Sequence, residues 1–84
     1  MTHLPDIWAC LMTKFPRRQW INLNTIYKII ERNLPLDRED FEPQSPKSDI
    51  PKWMRNVRNV LQYRKGTGEI EWDRAGNYRL LKHQ

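Results

Sequence analysis

Between Lys52 and Gly68 the chain contains no acidic residue. Its polar side chains there include Arg55, Asn56, Arg58, Asn59 and Gln62, with Lys52 at one end and Arg64 and Lys65 at the other. Arg, Asn and Gln are the side chains that pair bidentately with base edges, Arg with guanine and Asn or Gln with adenine. Lys and Arg at the ends of such a run suit phosphate oxygens, which position a protein without reading sequence. An ordinary solvated helix face interleaves Glu with Lys, and this one does not. Arg55, Asn56, Arg58, Asn59 and Gln62 are therefore expected at base edges, and Lys52, Arg64 and Lys65 at phosphates. Arg74, in a later turn, is a fourth phosphate candidate.

Other chemistries find little support. Glu69-Ile70-Glu71 is a pair of carboxylates on a strand, but no Lys follows to complete a metal-dependent nuclease set. His3 and His83 lie at opposite ends of the chain, and Cys10 with two terminal histidines is not a zinc pattern. Gly66-Thr67-Gly68 follows a helical segment instead of preceding one, so it does not read as a phosphate-cradling loop. No Ser/His/Asp set is present. The expectation is a chain without catalytic activity, metal or cofactor.

Such a face needs a helix to carry it. With Trp53 at the origin and about 100° per residue, Trp53, Val57, Leu61, Met54 and Val60 fall within an arc of about 120°. The Arg, Asn and Gln side chains lie opposite. Arg64 alone falls on the apolar side, near the helix end where its stem can lie along apolar surface. Pro51 opens this helix, which is expected to run to about Lys65. The glycines at 66 and 68 stop it.

The remaining elements frame it. Leu4, Ile7, Trp8, Leu11 and Met12 recur at helical spacing, which predicts a first helix over Leu4 to Phe15, closed by Pro16 and Arg17-Arg18. Gln19-Trp20-Ile21-Asn22 fits one short strand. Asn24 is expected to cap a second helix over Thr25 to Asn33, with Ile26, Ile29, Ile30 and Leu34 on one face. Residues 35–50, with three prolines and the acids Asp37, Glu39, Asp40 and Glu42, read as a loop. Glu69 to Trp72 and Asn77 to Leu80 alternate about a Gly-containing turn, so they predict a β-hairpin with Ile70, Trp72, Tyr78 and Leu80 on one face. Trp8, Trp20, Trp53 and Trp72 are all expected in the core.

The order helix, strand, helix, helix, hairpin predicts an α+β winged helix-turn-helix over residues 1–84, as a single domain. Length supports one domain: 84 residues, 38% hydrophobic, with four Trp, three Tyr and two Phe. The formal net charge is +5. Residues 1–46 hold six Lys/Arg and six Asp/Glu, whereas residues 47–84 hold nine and four, so the whole excess sits in the C-terminal part. Clustered positive charge of this kind favours a polyanion such as double-stranded DNA. A single cysteine, no apolar run of membrane-spanning length and no signal-peptide pattern point to a reducing compartment, the cytoplasm, with no membrane partner.

The run Pro-Lys-Trp-Met-Arg-Asn-Val-Arg-Asn-Val-Leu-Gln from Pro51, with Gly-Glu-Ile-Glu-Trp and Gly-Asn-Tyr-Arg-Leu after it, resembles the N-terminal winged-helix domain of Mrr-type restriction endonucleases. Leu36 to Phe41 with Glu42 resembles the acidic stretch that the family carries before its third helix. The resemblance covers roughly residues 35–81. It implies DNA recognition by a module that works beside a separate nuclease domain or subunit of a restriction system. It also implies roles for Arg55, Asn56, Arg58, Asn59 and Arg74. Gly66-Thr67-Gly68 departs from the Ala-Gly usual there. No cleavage domain follows residue 84, which leaves an excised targeting domain or a free-standing binding protein as the expectations. The alternative is a winged helix used for protein–protein contact, with residues 37–42 as its partner surface, because the fold serves both uses.

Overall fold

The computed structural model describes residues 3–16, 18–43, 45–47 and 49–81. Arg17 and His83, named above, lie outside them. The elements run α1 (Leu4–Lys14), β1 (Ile21–Asn22), α2 (Leu23–Asn33), a 3₁₀ turn (Glu39–Phe41), α3 (Lys52–Thr67), β2 (Ile70–Trp72) and β3 (Asn77–Leu80). The three strands form one antiparallel sheet in the order β1-β3-β2. Three helices on a small antiparallel sheet make an α+β fold with a layout consistent with a winged helix.

The core follows from the helical and strand periods. Ile7, Trp8 and Leu11 of α1, Ile26 and Ile30 of α2, and Trp53, Val57, Val60 and Leu61 of α3 are buried together with Ile70, Tyr78 and Leu80 of the sheet. Trp53 is walled by the ring edges of Tyr27, at 5.6 Å between centroids, and Phe41, at 6.4 Å. Ile29 is only half-buried.

Several boundaries differ from expectation. The helix cap is Asn22, not Asn24: the Asn22 side chain accepts from the Asn24 N–H at 2.8 Å, so β1 passes straight into α2. Gly66 and Thr67 belong to α3, which stops only at Gly68, whose φ of 83° is the left-handed conformation that glycine adopts without a Cβ penalty. Segment 35–50 is not a featureless loop. Asp37 and Asp40 bond each other's backbone N–H groups through their carboxylates, both at 3.0 Å, around the 3₁₀ turn. Asp40 is thereby turned inward, 1% exposed. Downstream, Pro43 and Pro51 form an isolated bridge, and the Lys52 N–H donates to the Glu42 carbonyl at 2.9 Å.

Two tryptophans are not core residues. Trp20 is 44% exposed and Trp72 is 36% exposed. Trp72 does share a strand face with Ile70, but it lies further along the hairpin, where Tyr78 stacks on it at 6.5 Å and the Lys65 ammonium sits 4.7 Å from its ring. Trp20 precedes β1 and is covered in part by the Arg79 guanidinium, 4.9 Å from its ring.

Candidate nucleic-acid interface

α3 buries Trp53, Val57, Val60 and Leu61, and this phase fixes where its polar side chains go. Arg55, Arg58, Asn59 and Gln62 are exposed and line one shallow depression, together with Ile50 from the preceding loop. Asn56 stands apart: it is half-buried on the flank nearer Val60. Four of the five residues expected at base edges are therefore brought together.

Arg58 also reaches electrostatically toward the sheet. Burial pushes the Tyr27 and Tyr78 hydroxyls above their ordinary pKa, and the Arg58 charge opposes the rise in both. Its positive charge is thus felt at α2 and β3 as well as at the depression.

The four phosphate candidates separate. Lys65 is exposed, its ammonium held over the Trp72 ring. Lys52 is half-buried with Nζ 3.9 Å from a Glu39 carboxylate oxygen. Arg74 occupies the hairpin tip with a φ of 65°. Arg64 is committed elsewhere. Its guanidinium pairs with Glu69 at 2.7 Å and lies 4.4 Å from the Trp8 ring, on the apolar side of α3, so it ties the helix end to the start of the hairpin instead of projecting outward.

The acids around the hairpin are engaged internally. Glu69 accepts from Arg64 and from the Thr67 hydroxyl, both at 2.7 Å. Glu71 faces Arg79 across the β2–β3 register and pairs with its guanidinium. Asp73 accepts from the Ala75 N–H at 2.7 Å, the Asn77 N–H at 3.0 Å and the Asn77 side-chain amide at 2.7 Å. From sequence, these acids look like charges that would repel a phosphate backbone. Folded, they hold the hairpin's shape, and the Glu71–Arg79 pairing was the one that a hairpin register could have revealed in advance.

The Asp73 hydrogen bonds set a testable pH dependence. The Asn77 side chain first, then the Ala75 N–H, holds the Asp73 carboxyl below its ordinary pKa. A lowered folded pKa means that the turn's stabilisation is fully present above the unfolded value, about 3.9, and is lost as pH falls through the folded value. The amide resonances of Ala75 and Asn77 should therefore move together with a midpoint below about 3.9. A shared midpoint at or above that value would contradict the hydrogen bonding.

Beside the depression and sharing Asn59 with it, Leu4, Trp8 and Met12 of α1 with Val60, Tyr63 and Arg64 of α3 line a mainly apolar groove of about 490 Å³. Cys10 is half-buried, and burial pushes its thiol pKa up, with Lys14 opposing, which disfavours the thiolate. Among the described residues, no group of three His, Cys, Asp or Glu side chains could hold a metal ion, and no helix is long and apolar enough to cross a membrane. No protein-family model, curated protein or solved structure matches the chain.

Proposed function

We propose that this chain is a non-catalytic winged-helix domain that binds double-stranded DNA, with α3 in the major groove and the β2–β3 hairpin as a wing. It works in the cytoplasm without cofactor, as the target-recognition module of a restriction system whose cutting is done by a nuclease domain or subunit. The observation that carries the DNA reading is the exposed cluster of Arg55, Arg58, Asn59 and Gln62 around one depression, on a helix without an acid. The restriction role rests on the resemblance at residues 35–81. Arg55, Arg58, Asn59 and Gln62 meet base edges, while Lys52, Lys65 and Arg74 meet phosphates.

Counterion release makes the reading measurable. Three or four phosphate contacts give a log–log salt slope of about −3 for duplex DNA. Fluorescence anisotropy with random-sequence duplexes at several salt concentrations should return that slope. No binding at about 50 mM salt, where charge contacts are strong, would remove the DNA reading.

The apolar groove between α1 and α3 favours a second reading, a protein-interaction module. Exposed apolar concavities rimmed by polar groups mark docking sites. This reading takes over if duplex DNA is ignored.

A further inference from the structure

Among the described residues, Ile50 is the one apolar wall of the depression that Arg55, Arg58, Asn59 and Gln62 otherwise line. It is 37% exposed, which is unusual company for four side chains suited to hydrogen bonding. Its position is not casual. Pro51 restricts the residue before it to extended backbone, and branching at Cβ restricts the Ile side chain. The Pro43–Pro51 bridge and the hydrogen bond from Lys52 N–H to the Glu42 carbonyl fix the entry to α3 directly after it. The result is an apolar side chain of restricted conformation at the edge of a polar surface.

The major groove offers few apolar partners for such a probe. Guanine, adenine and cytosine present donors and acceptors there, and thymine adds a C5 methyl group. We infer that Ile50 reads the thymine methyl group, adding an apolar check beside the hydrogen-bonding readout of α3. This inference rests on the DNA reading above and deepens it. It assigns a determinant of specificity to the loop ahead of the helix, and it requires the preferred duplex to place thymine against residue 50.

Replacing thymine by deoxyuridine removes the methyl group and leaves every hydrogen-bonding edge in place. A duplex selected from a random pool by the full chain, remade with uracil, should bind about fourfold more weakly for each methyl contacted, the worth of one buried methyl-sized group. Ile50→Ser should bind the thymine and uracil duplexes equally and keep the wild-type salt slope. Ile50→Val should retain the thymine preference. Full binding by wild type with no uracil penalty would overturn this inference alone, as would a preference that survives in Ile50→Ser. Absence of any duplex binding would overturn both this inference and the DNA reading beneath it.

Discussion

Leu61→Ala should cost about 2–5 kcal/mol of folding free energy, a large part of the roughly 5–15 kcal/mol available to a small domain. Leu61 has no exposed surface and sits where α3 meets the rest of the core. Truncation removes the transfer free energy of its side chain. It also leaves a cavity that the surrounding Ile, Val and Trp side chains, fixed on three helices and a sheet, can only partly fill. Urea unfolding followed by tryptophan fluorescence measures the loss directly. A loss under about 0.5 kcal/mol, typical of surface positions, would mean that the phase of α3 is wrong. The assignment of every polar residue on that helix would then go with it.

The second large effect separates reading from charge. Arg55→Ala or Asn59→Ala should cost about 1–3 kcal/mol on the preferred duplex and much less on random duplex. Both side chains project from the exposed face into the depression, where base edges are the groups that a major-groove docking would bring to them. Lys65→Ala should instead weaken all duplexes alike and flatten the salt slope by about 1. Lys52→Ala should act the same way, to a smaller extent because Lys52 already faces Glu39. Identical behaviour in all four variants would leave α3 contributing charge without readout. No change in any of them would hand the function to the protein-interaction reading.

The elements themselves were legible because period and punctuation agreed. Pro5, Pro51 and Gly68 mark ends that the apolar spacing of Ile7, Trp8 and Leu11 or of Trp53, Val57 and Leu61 independently requires. The exposed cluster of Arg55, Arg58, Asn59 and Gln62 followed from the same phase. What was not legible depended on where one layer ends against another. Alternation places Trp72 on the face of Ile70, but it cannot say how far along the hairpin the core still extends, and Trp72 sits at the core's margin between Tyr78 and the Lys65 ammonium. Arg64 was placed correctly on the apolar side, yet its partner Glu69 lies beyond the helix end, and only the turn at Gly68 brings the two together. The inward turn of Asp40 had a sequence signal that went unused: two aspartates three apart can cap each other's backbone in the manner of a capping box. The segment read as loop also hid Ile50, because an exposed residue outside a helix or strand leaves no periodic trace.

One backbone hydrogen bond has a bearing on how a ligand is met. The Leu23 N–H, in the first turn of α2, donates to the Gly76 carbonyl at the return of the hairpin, at 2.9 Å. Two-residue β1 alone would be a weak anchor for the hairpin, and this bond fastens the hairpin's turn to a helix that is itself packed on α1. The turn that carries Arg74 is thus held to the helical layer by backbone. A ligand meeting that turn would find it already ordered, which spares the conformational entropy that an unanchored arm would lose on ordering.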